Sequence, residues 1–126
     1  MPHVIMSERF THAHRIHKTS DYDYVYTNGK VLGNSRLVLY YAYKNRDEPT
    51  RLGMTVSRKH GNAVVRNRLK RLVRESFRKL LPYLAPGYDI VVHYRRSCGS
   101  VCHANVLTSL QTLLAKTGIL KSNEED

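Results

Sequence analysis

The segment Ala63–Leu80 constrains the fold of this chain more than any other, because its apolar residues recur with the period of an α-helix. Placed at 100° per residue, they form one stripe that consists of Val65, Leu69, Leu72, Val73 and Leu80. The polar side holds one acid, Glu75, and is otherwise almost entirely cationic: Asn67, Lys70, Arg71, Arg74 and Arg78 lie opposite the stripe, with Arg66 and Arg68 on its flanks. A solvated helix normally mixes both signs of charge, so this helix is predicted to face a negatively charged partner.

The positive charge of the chain is concentrated around this helix. Residues 51–80 hold ten Lys and Arg and one acid, a net charge of +9, whereas the rest of the chain adds only +2 to the total of +11. A clustered field of this kind indicates a polyanion such as nucleic acid. Seven of the ten bases are arginines, whose planar forks fit phosphates and stack on bases. The alternative is a highly soluble surface without a partner, but ordinary surfaces intersperse both signs.

At 126 residues the chain is expected to form one domain with a modest core. No apolar run approaches the roughly 20 residues of a membrane span, and the first ten residues lack the apolar region of a signal peptide. We therefore expect a cytoplasmic protein. Its two cysteines, Cys98 and Cys102, are too few for a disulfide scaffold and should stay reduced.

Local patterns predict the other elements. In chain order these are a helix over residues 22–28, strands over 35–43 and 51–57, the long helix after a cap at Asn62, a strand over Tyr88–Tyr94 and a helix over 101–116 that stops at Gly118. Ser20 or Asp21 should cap the first helix, and Gly29 should end it. The first two strands should pair as a hairpin, and the third, apolar throughout, should be central in the sheet.

This αββαβα order predicts an α+β sandwich with a small mixed sheet. Residues 14–120 should form the single domain, residues 1–13 a flexible arm, and residues 121–126 a frayed acidic tail. Alternation along the strands gives each one two faces. One face should carry Leu37, Leu39, Tyr41, Leu52, Met54 and Val56, and the other Val38, Tyr40, Ala42, Gly53 and Thr55.

Tyrosine is the dominant aromatic residue, with nine copies against two phenylalanines and no tryptophan. Tyr22 and Tyr26 share one helical face, and with Tyr40 they could form a stacking platform for unpaired bases. The alternative is that they are core aromatics with hydrated hydroxyl groups. Gly53, which has no side chain, would let a nucleotide approach the sheet closely.

Metal and catalytic sites are poorly supported by the sequence. His93, Cys98, Cys102 and His103 lie close together in the chain but lack the paired spacing of a structural zinc site. The acidic residues are scattered, whereas a nuclease that holds its own metal ions needs clustered carboxylates. We therefore predict no metal site and no catalytic residue in the protein.

One stretch, RLGMTVSRKHGNAVVRNRLKRLVRESFRKL, closely resembles the signature of the bacterial ribonuclease P protein family. The signature positions are filled by Val56, Ser57, Arg58, Lys59, Gly61, Ala63, Val64, Arg66, Asn67, Arg68, Lys70, Arg71, Arg74 and Glu75. HRIHKTSDYDYVYTNGK resembles the first helix of the family, with tyrosines in place of phenylalanines and His17 in place of a lysine. SRLVLYY, PGYDIVV and AKTGIL also fit, so the resemblance covers about residues 14–120.

The resemblance implies a fold of the ribosomal-protein-S5-domain-2-like type, with a left-handed β-α-β crossover through the long helix. Such crossovers between parallel strands are right-handed in about 98% of cases. We follow the resemblance and expect the rare left-handed form.

The resemblance also implies that the chain is the protein subunit of ribonuclease P, which removes the 5′ leader of precursor tRNA. In the family a large catalytic RNA carries the active site and its Mg²⁺ ions, and the small protein binds that RNA one to one and holds the leader. The leader cleft would consist of Tyr22, Tyr26, Val38, Tyr40, Thr55, Lys70 and Arg74. The surface for the catalytic RNA would consist of Arg58, Lys59, Arg66, Asn67, Arg68 and Arg71.

Two other classes of function stay open at this point. A ribosomal or double-stranded-RNA-binding protein without a processing role would share the charge, but would not need the RNR spacing or a tyrosine cleft. A nuclease acting alone would cleave RNA as the purified protein, and the scattered carboxylates argue against it.

Overall fold

The computed structural model describes residues 12–45, 47–95 and 105–121 of the chain. Within them lie four strands and three α-helices, in the order α1 (Thr19–Asn28), β1 (Lys30–Gly33), β2 (Leu37–Tyr43), β3 (Arg51–Thr55), α2 (Ala63–Leu80), β4 (Tyr88–Tyr94) and α3 (Val106–Thr117). Short 3-10 helices span His12–His14, Arg58–His60 and Leu81–Tyr83. None of the described helices combines the length and the apolar character needed to cross a membrane.

The four strands form one mixed sheet in the order β1-β2-β4-β3. β2 pairs antiparallel with β1 and β4, and β3 pairs parallel with β4. The predicted hairpin between β2 and β3 is therefore wrong, because β4 lies between them. β4 buries side chains on both faces of the sheet, which suits a central position, and the α2 crossover returns it parallel to β3. The central position of β4 is confirmed, and the handedness of the crossover stays a prediction.

The edge strand β1 is missing from the predicted order. It follows α1 directly and pairs with β2 from Lys30 opposite Tyr41 to Gly33 opposite Val38. Its sequence, KVLG, is short and has one exposed branched residue, Val31, so it shows little of the alternation that marks a half-buried strand. Pairing with β2, rather than its own composition, makes it a strand.

Two apolar clusters pack on opposite faces of the sheet. The larger, which we call the inner cluster, joins the sheet to α2 and α3 and includes Leu37, Leu39, Leu52 and Ile90. The smaller, on the outer face, consists of Ile16, Val25, Ala42 and Val91, with Tyr22 and Tyr40 packed against it. The predicted division of the strand residues between the two faces is confirmed. Because α1 covers only part of the outer face, that face keeps exposed side chains.

The long helix begins as predicted. Asn62 caps it, with its Oδ1 accepting a hydrogen bond from the Val65 N–H at 3.0 Å. The predicted stripe needs one correction, because Val65 is 36% exposed while Phe77 is fully buried. Val65 instead packs against Gly61, where a φ of 141° and the lack of a side chain permit the turn. The buried stripe is thus turned toward Phe77, which lies on the side of Lys70 and Arg74.

The boundaries of the other helices differ slightly from the predicted ones. Lys18 occupies the N-cap position of α1 without a capping side-chain bond, so the predicted cap at Ser20 or Asp21 is wrong. Gly29 follows the last turn as expected. Gly118, with a φ of 85°, ends α3 in the left-handed conformation that favours glycine. Residues 1–11, the acidic tail from 122, and Cys98 and Cys102 lie outside the described residues.

Candidate RNA interface

The outer face of the sheet presents two adjacent rows of side chains across β2, β4 and β3. In the first row His93 lies between Val38 and Thr55. In the second row Val91 lies between Tyr40 and Gly53. The register therefore places the predicted cleft residues of the strands on one face, next to each other.

Three aromatic rings converge on the first row. The ring centroid of Tyr26, on α1, lies 5.0 Å from that of Tyr40 and 5.6 Å from that of His93, and the Tyr40 and His93 centroids are 5.1 Å apart. The Tyr26 hydroxyl also hydrogen-bonds the His93 Nε2 at 2.7 Å. We call Tyr26, Tyr40 and His93 the aromatic triad. Tyr26 is 40% exposed, so part of its ring remains open to a ligand.

His93 was not among the predicted site residues. It entered the sequence analysis only as a possible zinc ligand, because its position beside two cysteines is conspicuous. The available signal was its place in β4: counting by twos from Asp89 puts Val91 and His93 on the same face. The proximity of His93 to Tyr40 depends on the pairing of β4 with β2, which the sequence did not predict.

Burial sets the protonation of the triad. It raises the pKa of Tyr26 above the ordinary value of a tyrosine, an effect that a hydrogen bond with Thr55 partly offsets. Burial also lowers the pKa of His93 below its ordinary value of 6.5. At neutral pH both side chains are therefore uncharged, and the triad is a neutral aromatic surface.

Tyr22 occupies the space above Gly53. A Cβ atom built on Gly53 would lie 2.7 Å from the Tyr22 Cε1 and 2.8 Å from its hydroxyl oxygen. The expectation that Gly53 lets a nucleotide reach the sheet is therefore wrong. The missing side chain makes room for the Tyr22 ring, and a ligand would meet that ring rather than the backbone.

Lys70 and Arg74 line a groove of about 200 Å³ on this side of the molecule, together with Arg15, Ile16, Tyr22, Leu52, Gly53 and Met54. The long helix therefore supplies one wall of the groove and α1 and β3 the other. Burial lowers the pKa of Arg74, and the neighbouring charges of Arg15 and Arg71 lower it further. Such crowding of positive charge favours the binding of phosphate groups.

The predicted surface for the catalytic RNA lies at the start of α2 and along its exposed side. Arg58 and Lys59 are exposed on the 3-10 helix that precedes Gly61. Asn67, Arg68 and Arg71 are exposed on α2 itself. Arg66 is half-buried and donates a hydrogen bond to the Gly61 carbonyl oxygen at 3.0 Å, so it also fixes the turn.

A cluster of four charges, which we call the ion cluster, connects α1 to the sheet. Arg51 and Lys44 both contact Asp89, at 2.6 and 3.5 Å, and both contact Asp21 in the first turn of α1, at 3.4 and 3.1 Å. Burial would raise the pKa of Asp21, but the hydrogen bond and charge of Lys44 and the charge of Arg51 bring it below the ordinary value. These acids are scattered along the chain, and their partners are set by the fold and have no local sequence signature.

The carboxylates of the described residues do not form a metal site. No group of three His, Cys, Asp or Glu side chains in that part of the chain could hold an ion. Asp21 and Asp89 are engaged by two cations, which repel a metal. Cys98, Cys102 and His103 lie outside the described residues.

Comparison with known proteins gives one consistent family. The family model for ribonuclease P matches residues 10–118. The ribonuclease P protein component of Oceanobacillus iheyensis is 38% identical over 86% of this chain and 90% of its own length. That of Clostridium kluyveri is 41% identical over 86% of this chain and 97% of its own length.

Solved structures agree with these relatives. The RNase P protein of Staphylococcus aureus superposes with a TM-score of 0.77 at 32% identity, covering 86% of this chain and 99% of that protein. The RNase P protein of Thermotoga maritima gives a TM-score of 0.74 at 33% identity, covering 81% of this chain and 96% of that protein. The similarity therefore extends over sequence and fold alike.

Proposed function

This chain belongs to the bacterial ribonuclease P protein family and serves tRNA 5′ maturation, and from that premise we propose that the outer face of its sheet binds the 5′ leader of precursor tRNA. The leader is single-stranded, so its bases are free to stack and its phosphates are exposed. The protein would hold it while the ribonuclease P RNA, with which the family partners, performs the cleavage.

The observation that carries this proposal is the pairing of two tyrosine rings, of which Tyr26 is exposed and Tyr40 half-buried, with a cationic wall on one face. Tyr26 and Tyr40 lie 5.0 Å apart above the sheet, and Lys70 and Arg74 line the groove beside Tyr22. Aromatic rings bind bases without regard to sequence, and cations bind the phosphates between them. Double-stranded RNA offers no unstacked bases, so a protein that binds only duplexes would gain nothing from these rings.

The exposed side of α2 would bind the catalytic RNA. Arg58 and Lys59 precede the helix, and Asn67, Arg68 and Arg71 follow on its exposed side. Arginine forks on a rigid helix suit the phosphates of a folded RNA. Because Lys70 and Arg74 face the groove instead, one helix would contact both RNAs, with one protein bound to one ribonuclease P RNA.

The active site and its Mg²⁺ ions would belong to the RNA. Mg²⁺ prefers carboxylate and phosphate oxygens, and the carboxylates of Asp21 and Asp89 are already paired with Lys44 and Arg51. The donor set of the described residues therefore does not fit a protein-held metal. The protein would act by binding and positioning, in the cytoplasm where precursor tRNA is processed.

Reconstituted cleavage tests the proposal. Precursor tRNA is incubated with the protein alone, with ribonuclease P RNA alone, and with both, at low Mg²⁺ concentration. We expect cleavage at the 5′ end of the mature tRNA only when both are present. Cleavage by the protein alone would show a nuclease in its own right, and no stimulation of the RNA would point to a different RNA-binding role.

A further inference from the structure

His93 lies at the middle of the outer face, yet the function proposed above gives it no task. Val38 and Thr55 are its direct neighbours on β2 and β3, and Tyr26 covers it from α1. It is half-buried, so a ligand resting on the aromatic triad could contact its ring. An apolar residue could fill this position in the binding surface, so the presence of a polar, titratable ring suggests a role in binding.

We propose that His93 contacts the leader RNA and strengthens leader binding when it takes up a proton. The proposal rests on the function inferred above, because it requires the leader to lie on the outer face. It adds a residue-specific and pH-dependent element to that binding. The ligand remains single-stranded RNA, and the contact is with a phosphate or base oxygen that accepts a hydrogen bond.

The hydrogen bonds of the ring leave one nitrogen for a ligand. Nε2 is held by the Tyr26 hydroxyl at 2.7 Å, which fixes the ring between Tyr26 and Tyr40. Nδ1 has no hydrogen-bond partner among the described residues. In the imidazolium form both nitrogens are donors, so Nε2 can keep its bond to Tyr26 while Nδ1 donates to an RNA oxygen.

The neighbours of His93 decide how easily it is charged. Tyr26 faces it from α1, Tyr40 from β2 and Thr55 from β3, and none of these side chains is a carboxylate or a cation. The charge of Asp23 acts on Tyr26. Burial is what lowers the pKa of His93. In the absence of RNA no charge among the described residues offsets that burial, and the ring stays neutral at pH 7.

Bound RNA changes this balance. A phosphate close to the ring favours the imidazolium and raises its pKa in the complex. Because the pKa is higher in the complex than in the free protein, leader affinity must increase as the pH falls through the pKa of the complex. It levels off below the pKa of the free protein. The affinity gain should be roughly three- to tenfold, the range of a single ion pair in partly solvated surroundings.

Binding measurements on the reconstituted ribonucleoprotein test the proposal. The dissociation constants of a non-cleavable precursor tRNA and of mature tRNA are compared between pH 7.5 and 5.5. Their ratio isolates the leader, because protonation elsewhere affects both ligands. We expect the preference for the precursor to grow three- to tenfold in the wild type and to stay constant in His93→Gln, which retains a polar contact with Tyr26 but does not titrate.

Two further variants make the test specific. His93→Phe keeps a ring without a proton and should also lose the pH dependence, so the result does not depend on how glutamine packs. His60→Gln is the matched control. His60 packs on Tyr94, whose ring belongs to the inner cluster, and removing this imidazole should leave the pH dependence intact.

The possible failures are distinguishable. If the wild type binds both tRNAs equally at every pH, the leader does not lie on this protein and the proposed function fails. If the precursor is preferred, but His93→Gln and His93→Phe show the same pH dependence of that preference as the wild type, the function stands and the role of His93 is overturned. A direct check is the NMR titration of the His93 ring in the full chain, with and without single-stranded leader RNA. A pKa that does not rise with RNA would overturn it as well.

Discussion

Arg51 holds Asp89 through two hydrogen bonds, from Nε to Oδ1 at 2.9 Å and from Nη2 to Oδ2 at 2.6 Å. The Asp89 side chain is only 4% exposed, and that of Arg51 is 23% exposed. This two-point contact joins β3 to β4 on the outer face of the sheet, and Lys44 and Asp21 extend it to the end of β2 and to α1. The orientation of α1, and so of Tyr22 and Tyr26, depends on it.

Asp89→Asn should therefore destabilise the fold. The substitution removes the buried carboxylate that Arg51 and Lys44 share and leaves them only the more exposed Asp21, so we expect the free energy of unfolding to fall by about 2 kcal/mol or more. Urea unfolding followed by circular dichroism measures it. Glu75→Gln is the control, because the Glu75–Arg78 pair is exposed at 56% and 39% and should contribute less than about 0.5 kcal/mol. Equal losses of stability in the two variants would contradict the conclusion that the buried Asp89 stabilises the fold more than the exposed Glu75 does.

The stability contributed by Asp21 should be lost in acid. Its pKa is lower in the folded chain than the ordinary value of 3.8, so the contribution is complete above that value and disappears as the pH falls through the folded pKa. We expect wild type and Asp21→Asn to differ by no more than about 1 kcal/mol at pH 6 and to converge once the pH lies below the folded pKa of Asp21. Urea unfolding at a series of pH values gives the curve. A difference that persists at the lowest pH would mean that Asp21 acts by packing and not by charge.

Gly53→Ala should disturb leader binding with little loss of stability. The new methyl group would displace the Tyr22 ring, which can swing outward because it is the end of a side chain. We expect precursor affinity to fall roughly fivefold or more, the lower limit for one lost stacking contact. Gly118→Ala is the reverse control: its added carbon touches nothing but is strained at a φ of 85°, so stability should fall and leader affinity should not.

Tyr40→Ala should weaken binding of precursor tRNA by roughly 5- to 150-fold, because stacking on an aromatic ring is worth about 1–3 kcal/mol per base. Mature tRNA, which has no leader, should bind almost as before. Tyr43→Ala is the matched control on the same strand, since Tyr43 is 51% exposed and pairs with Tyr88 away from the aromatic triad. Equal losses for both tRNAs in Tyr40→Ala would assign Tyr40 to the fold or to the surface for the catalytic RNA.

Arg68→Ala should weaken binding of the catalytic RNA and flatten its dependence on salt. With about six phosphate contacts, the logarithm of the binding constant should fall against the logarithm of salt concentration with a slope of roughly −4 to −5. Removing one contact should make the slope shallower by about 0.7–0.9. The same is expected of Arg66→Ala, with an added loss from the freed Gly61 carbonyl. Lys116→Ala, on α3, serves as the control. An unchanged slope in the arginine variants would show that this segment does not contact the catalytic RNA.

The sequence predicted those features that depend on local periodicity. The bounds of α2 and β4, the Asn62 cap and the two faces of each strand follow from side-chain spacing and capping chemistry. The family resemblance supplied the grouping of Tyr22, Lys70 and Arg74, which line one groove, while their role in leader binding stays a prediction. Spacing alone could not have joined residues so far apart in the chain.

What could not be predicted depends on which strands become neighbours. The insertion of β4 between β2 and β3 brings His93 beside Tyr40 and pairs Asp89 with Arg51, and neither contact has a local signature. The pairing of β1 has none either. Tyr22 above Gly53 was missed because a glycine on a binding face was interpreted as space for a ligand, although a neighbouring side chain can fill the same space.

The insertion of β4 between β2 and β3 also determines the order in which the sheet can form during synthesis. Synthesis proceeds from the N-terminus, so β2 and β3 leave the ribosome before the strand that joins them exists. Within the described residues, β2 can pair only with the short β1 until Tyr94 has emerged, and β3 has only an isolated bridge between Arg15 and Leu52. The cationic helix α2 is therefore made while the core is still open, in a cell crowded with RNA. Folding must wait for a late strand and then proceed as one step, with a rate limited by contacts distant in sequence.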